Sequence, residues 1–530
     1  MKLEKKSLRE AEEWKKAGYE LPEYDLDIIQ ANTKKKPTWI HFGAGNIFRA
    51  FMAVAQQKLL NEKISDTGII VCEGYDSEII EKVYRKYDNL TIAVSMKQNG
   101  SMDKMVVGSV AESLLLKTET SDWLRLKEIF ENPALQMATF TITEKGYQIK
   151  NASGYLPQIK EDMQVGPEQA KSYMGCLTAL CYLRYLAGKL PLALVSMDNF
   201  SHNGDRLKTA VLTIAEVWEK NNLVEEGFSG YLQDETKISF PWSMIDKITP
   251  RPDSKIKEML ERTGLEGMDI FTTSANTYIA PFVNAEETEY LVIEDNFPNG
   301  RPKLEHAGIL FADRRTVECV EQMKVCTCLN PLHTGLAIFG CLLSYTSISK
   351  EMEDPLLREL AVQIGQEGMP VVVHPGILEP KQFLQEVLCV RLPNPYIPDT
   401  PQRIATDTSQ KISIRYGETI KAYQKTGKSL KQLRAIPLVI AGWIRYLTGV
   451  DDFGNAMELS PDPRMTELRE KISDIAEKPE MVAGSILADA SVFGQDLSKT
   501  ELAEPVIGFL KEMLTGPHAV RKTLEKYLGQ

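Results

Sequence analysis

The chain has 530 residues, 43% hydrophobic and 25% charged, with a formal net charge of -11, the make-up of a globular protein too long for one core. The acidic balance excludes an ordinary nucleic-acid binder, which needs concentrated Lys and Arg, yet leaves room for a local basic pocket. No segment reaches the roughly 20 apolar residues of a membrane span; the most apolar run, 435–447, is broken by Arg445.

The charged N-terminus lacks the apolar core of a signal peptide. Eight cysteines are scattered without framework spacing, and the Cys326–Cys328 interval suits neither a redox pair nor a zinc knuckle. With six histidines in the whole chain, the expectation is a cytoplasmic protein with reduced cysteines, no metal site, and no nucleic-acid or membrane partner.

In chain order, residues 3–36 read as a polar, helical lead-in. Residues 38–45 (TWIHFGAG) are a short apolar strand ending in glycines, followed by helical periodicity over 46–62. A second strand is predicted at 68–72 and a second helix at 77–87. Further buried strands are predicted at 136–143 and 192–197, with helices at 121–132 and 167–188. Strands alternating with helices imply a parallel, doubly wound sheet. After residue 302 the pattern turns helical, at 313–349, 355–366, 409–425, 430–448 and 501–527. The predicted fold is an α/β Rossmann-type domain over 1–302 and a mostly α-helical domain over 303–530, divided at the turn-type sequence 299–302.

Gly43, Ala44, Gly45, Asn46, Ile47, Phe48 and Arg49 form a strand-to-helix loop in the first βα unit. Backbone without side chains can approach a pyrophosphate there, and the helix N-terminus favours the anion. Phe48 stands where the third glycine of a GxGxxG would be, but the position of the loop favours a dinucleotide. An acid at the end of the second strand would hold the adenosine ribose; Glu73, Asp76 and Glu78 compete for the role, and Asp76 reads equally well as a helix N-cap.

Four more islands carry polar residues of chemical use. They are Ser196-Met197-Asp198-Asn199 with His202-Asn203-Gly204; 245–250 (IDKITP); Met323-Lys324 with Asn330-Pro331-Leu332-His333; and 403–411 (RIATDTSQK). Together with 43–49 (GAGNIFR) and 141–147 (TITEKGY), in this order over residues 38 to about 415, they resemble the long-chain polyol dehydrogenase family, that of mannitol dehydrogenase. Its members oxidise mannitol and arabinitol or reduce fructuronate and tagaturonate.

The resemblance implies zinc-independent hydride transfer with NAD and a small sugar-acid or polyol substrate. By matched position, Lys324 is the general acid/base, Asn199 and Asn330 bind the reacting oxygen, and His333 orients the substrate. Asp246, Arg403 and Lys411 contact its other oxygens, Glu144 lies beside the site, and Thr143 joins the cofactor set. The islands sit nearest the branch that interconverts fructuronate and mannonate. A mannitol or arabinitol 2-dehydrogenase is the alternative, then a tagaturonate reductase, and, in a different class, a silent NAD- or sugar-binding protein.

Taken singly, each residue has a plainer reading: Lys324 as a surface lysine, Asn330 as an N-cap before Pro331, Asn199 as a turn residue, His333 as a core histidine, Asp246 as a partner of Lys247, and Arg403 and Lys411 as surface charges. One interval departs from the family. Six residue steps separate Lys324 from Asn330, in KVCTCLN, where relatives show five. On a regular helix, at about 100° per residue, Lys324 and His333 would face opposite ways. A local irregularity is therefore predicted: a break at Asn330-Pro331, or else a π-bulge within 325–329.

Overall fold

The computed structural model describes residues 1–529 and divides into two units, Met1–Val317 and Glu318–Gln530. In the first, six strands build one sheet: β1 (Trp39–Phe42), β2 (Ile69–Glu73), β3 (Val110–Leu115), β4 (Met137–Phe140), β5 (Leu192–Ser196) and β6 (Ile238–Ser239). Every pairing is parallel, and the spatial order is β3-β2-β1-β4-β5-β6. Strands β1, β2, β4 and β5 are buried along their whole length, because helices cover both faces. That is why their sequences read as apolar runs rather than alternations. The order reverses between β1 and β4, the switch point at which open α/β sheets bind ligands beyond the carboxyl ends of their strands.

The same unit holds smaller sheets that periodicity did not reveal. Ser243–Asp246, Tyr290–Glu294 and Leu310–Ala312 form one, and Tyr19–Glu20 joins another by pairing with Met102–Val107. The lead-in is thus a strand between short helices, Ala11–Lys16 and Leu26–Lys35, rather than helix throughout. The first unit also extends past residue 302, to Val317, because Leu310–Ala312 adds a parallel strand to Tyr290–Glu294. The turn at 299–302 is internal to the unit, not its end.

The second unit is helical, with no named strand among the described residues. Its main helices include Asn330–Leu342, Pro355–Gly368, Ala435–Tyr446, Ala503–Met513 and Ala519–Leu528. The stretch Arg314–Leu342, rather than 435–447, is long and apolar enough to cross a membrane by length and composition, but 78% of its apolar window is buried inside the protein. It is a core element.

Candidate functional site

The loop after β1 is fixed from below. Gly43 sits at φ +109°, and a Cβ there would lie 2.2 Å from the Thr141 carbonyl oxygen at the end of β4, so only glycine fits. Gly45 differs. Its φ lies outside the left-handed region and an added Cβ would meet nothing within 4 Å. No neighbour in the protein requires glycine at 45, which leaves open space above the loop for a ligand to approach the backbone.

The loop's side chains point inward. Phe48 is fully buried and stacks on His41 at 4.3 Å; Ala44 and Arg49 are also fully buried. The Arg49 guanidinium donates to the Asn46 side chain (2.8 Å), the Ala280 carbonyl (2.8 Å) and Thr91 Oγ1 (3.2 Å), and so braces Asn46. Only backbone, Gly45 and the half-buried Asn46 and Ile47 remain to face a ligand.

All three candidate acids after β2 have partners. Glu73 accepts from the backbone N–H of Ala44 (2.9 Å), Tyr75 (2.8 Å) and Asp76 (3.2 Å), and thereby ties the two loops together. Asp76 is the N-cap of the next helix, accepting from Glu78 N–H (3.2 Å), and its other oxygen accepts from Thr273 Oγ1 (2.5 Å). Glu78 pairs with Lys82 and accepts from Ser274 N–H (2.9 Å); Lys82 first, then the Ser274 bonds, pull its carboxyl down to about 2. The cap reading of Asp76 is the one built here. Glu73 and Asp76 are buried, and the half-buried Glu78 is ion-paired with Lys82, so the three acids crowd the end of β2.

The ends of β4 and β5 are clamped by a residue that sequence reasoning quoted but left without a role. Asp198 accepts from Ile142 N–H (2.9 Å), Thr143 N–H (3.0 Å) and the Tyr147 hydroxyl (2.7 Å). Burial pushes its carboxyl up, and those bonds oppose the shift. Thr143 is held at φ +62°, which is strained for a β-branched residue. It opens the short helix Thr143–Gly146, whose exposed Glu144 pairs with Arg206 at 2.9 Å. The exposed Asn199 follows Asp198 on the turn after β5.

Asn203, fully buried, donates to the Ser243 carbonyl and accepts from Ser243 N–H, each at 3.0 Å, stapling this turn to the strand that ends in buried Asp246. Asp246 thus takes its position from that strand, which pairs with Tyr290–Glu294. Its neighbour Lys247 pairs instead with Glu289 at 2.7 Å.

In the second unit the surplus residue is absorbed as predicted, and by both devices. Lys324–Cys328 is a π-helical turn, closed by Leu329 N–H donating to the Lys324 carbonyl at 3.1 Å. Leu329 then leaves helical geometry (φ -131°, ψ -62°) and the chain restarts at Asn330 with Pro331 in its first turn. A π turn holds one residue more per turn than an α turn, which is what six steps in place of five require. Lys324 is 3% exposed, so its reading as a surface lysine is set aside.

One helical segment braces this irregularity. Thr419 Oγ1 donates to the Cys326 carbonyl (3.1 Å) and the Tyr416 hydroxyl to the Pro331 carbonyl (2.6 Å). These bonds tie the π turn and the start of the next helix to the segment that carries Tyr416 and Thr419.

Asn330 is not a cap. Leu329 holds the cap position. The Asn330 amide remains available, while its carbonyl accepts from Thr334 Oγ1 at 3.0 Å. The His333 side chain is 15% exposed, with Nε2 3.8 Å from Asp399 Oδ2. Burial first, then Arg391, Arg415 and Arg403, hold its pKa down to about 4 against the pull of Asp399, so the ring is neutral near pH 7. Arg403 is exposed and pairs with the buried Asp399. Lys411 Nζ donates to the Thr406 carbonyl (2.5 Å); burial and then Arg415 lower its pKa. Sequence reasoning missed Asp399 and Arg415, whose roles depend on neighbours distant along the chain.

The first unit therefore offers an open-backed glycine loop at a sheet switch point. The second offers a buried lysine, a free amide, a neutral imidazole and several cations on and around one broken helix. The mannitol dehydrogenase Rossmann domain matches residues 37–306 and the mannitol dehydrogenase C-terminal domain matches residues 316–514. The chain belongs to the mannitol dehydrogenase family.

Among members of this family, it is 53% identical to D-mannonate oxidoreductase of Thermotoga maritima, over 100% of this chain and 99% of that protein. The Escherichia coli D-mannonate oxidoreductase is 29% identical over 89% of this chain and 93% of its own length. Of solved structures, Pseudomonas fluorescens mannitol 2-dehydrogenase in a ternary complex with NAD and D-mannitol is 26% identical, with a TM-score of 0.71 and full coverage of both chains. A D-sorbitol dehydrogenase shares the fold, with a TM-score of 0.79 over 96% of this chain and 98% of its own.

Proposed function

We propose that this protein is an NAD-dependent oxidoreductase that interconverts fructuronate and mannonate. The observation that carries the substrate choice is the 53% identity, end to end, with a D-mannonate oxidoreductase. Gly45, free of any internal steric demand, supports a pyrophosphate over the loop after β1. The three acids at the end of β2 support NAD over a cofactor bearing a 2′-phosphate.

NADH, when bound, supplies the hydride that arrives at the substrate's carbonyl carbon. The chain's own residues manage the oxygen. Lys324 gives that oxygen its proton in reduction and removes it in oxidation. The amides of Asn199 and Asn330 donate N–H to the oxygen as charge develops on it. Asn330 is suited to this because a side-chain NH2 is a hydrogen-bond donor whether or not the oxygen of the same amide caps a helix. His333, neutral at working pH, orients a substrate hydroxyl. Asp246, Arg403 and Lys411 hold the remaining oxygens, and Glu144 lies at the margin. Gly43, Ala44, Asn46, Ile47 and Thr143 line the cofactor's path, while Phe48, Arg49 and Glu73 shape it from beneath.

All eight cysteines are free thiols, which supports a reducing, cytoplasmic setting. The test is NADH oxidation with fructuronate, tagaturonate and fructose compared under one condition. Fructuronate should give the highest kcat/KM; a preference for fructose would make the protein a polyol dehydrogenase.

A further inference from the structure

Three π-helical turns lie in the second unit: Lys324–Cys328, Val387–Arg391 and Ser413–Gly417. Each carries a cation, namely Lys324, Arg391 and Arg415. Such turns recur where a functional side chain must be turned off the regular helical face. Arg415 sits closest to the residues already assigned. One Nη donates to Thr334 Oγ1, Thr334 follows His333 in sequence, and its hydroxyl reaches back to the Asn330 carbonyl. The neighbouring Tyr416 and Thr419 bond Pro331 and Cys326. Arg415 is therefore fastened to the turn that bears Asn330 and His333.

What distinguishes Arg415 is the absence of an acid. Arg403 has Asp399, but among the described residues no carboxylate pairs with Arg415, whose one hydrogen bond goes to a hydroxyl. Lys411, one helical turn earlier, bonds only a backbone carbonyl. Burial holds the Arg415 pKa down to about 10, and no acid offsets it. A half-buried guanidinium without an anion is costly unless something outside the chain supplies one. Its planar fork matches a carboxylate in two-point geometry.

We propose that Arg415, with Lys411 beside it, binds the carboxylate that a sugar acid carries and a polyol lacks, and so sets the substrate class of this enzyme. The assignment rests on the hexuronate reading above and adds a residue to it.

The test compares wild type with Arg415→Gln, using NADH with fructuronate and with fructose. A charge-assisted two-point bond corresponds to about 10- to 100-fold in binding. The KM for fructuronate should rise by that factor, with a smaller change in kcat. The ratio of kcat/KM for fructuronate to that for fructose should fall by a similar factor. Mannonate should also inhibit the variant more weakly than it inhibits wild type.

Equal losses on the two substrates, or a fructuronate KM within twofold of wild type, overturn the proposal. If Arg415→Gln loses its cooperative melt, Arg415→Met, which keeps the length of the stem, is judged by the same criteria. Failure of both variants to fold makes Arg415 a structural residue and also overturns the proposal. Wild type inactive on fructuronate but active on fructose refutes the hexuronate reading and this inference with it. An active wild type with an unaltered variant refutes the inference alone.

Discussion

Gly45→Ala separates cofactor binding from folding more cleanly than any other substitution in the loop. The added Cβ meets no atom within 4 Å and the backbone there is not left-handed. Replacing glycine by alanine at a compatible position stabilises a protein by about 0.4–1 kcal/mol, through the unfolded state. The apo variant should therefore melt at or slightly above the wild-type temperature. If the pyrophosphate lies against this backbone, the methyl stands in its path. A loss of about 1.4–2.8 kcal/mol would raise the NADH Kd roughly 10- to 100-fold. Gly43→Ala is the opposite control. Its Cβ would lie 2.2 Å from a backbone oxygen at φ +109°, so it should destabilise the apo protein before any ligand is added. The assays are thermal melting without ligand and NADH fluorescence titration. Gly45→Ala with wild-type NADH affinity would refute the placement of the cofactor over this loop.

Asn330→Ala should reduce turnover about 10²- to 10³-fold, as loss of an oxyanion donor does, while NADH affinity and melting temperature hold, since Leu329 rather than Asn330 holds the cap position; normal turnover would return Asn330 to a structural role. His333 has its folded pKa lowered to about 4 from 6.5. Its contribution to stability is therefore complete above pH 6.5 and is lost as pH falls towards 4, by roughly 3 kcal/mol in all. Urea melts at pH 7 and pH 5 should show a smaller acid loss for His333→Gln than for wild type, and equal losses would contradict the neutral-imidazole assignment. NADH should support a higher kcat/KM than NADPH, because acids crowd the end of β2 (Glu73, Asp76 and Glu78), where a 2′-phosphate would add like charge; equal use of the two would count against this. Activity should survive prolonged EDTA, as no group of three or more metal-binding side chains occurs among the described residues, and loss restored by zinc would show that the lysine mechanism is wrong.

Much of this protein was legible along the chain. The fully buried strands of a helix-covered sheet leave unbroken apolar runs; β1, β4 and β5 lie within the stretches read that way, and β2 overruns its stretch by one residue, Glu73. The six-step interval in KVCTCLN implied an irregular helix, because helical geometry links spacing directly to facing. What remained hidden depends on partners far apart in sequence. Asp76 proved to be a cap bound to Thr273, 197 residues away, and Glu73 a brace for the loop at Ala44. The cap position fell to Leu329, where the chain leaves helical geometry before resuming it at Asn330. Arg415, spaced like a surface charge four residues after Lys411, lies fastened to Thr334, 81 residues earlier, without an acid. Local periodicity reports which face a residue occupies, since it depends on neighbours within a turn. Whether a charge on that face is paired, buried or left for a substrate is decided by long-range packing, so only the tertiary structure could separate Arg415 from the ordinary charges around it.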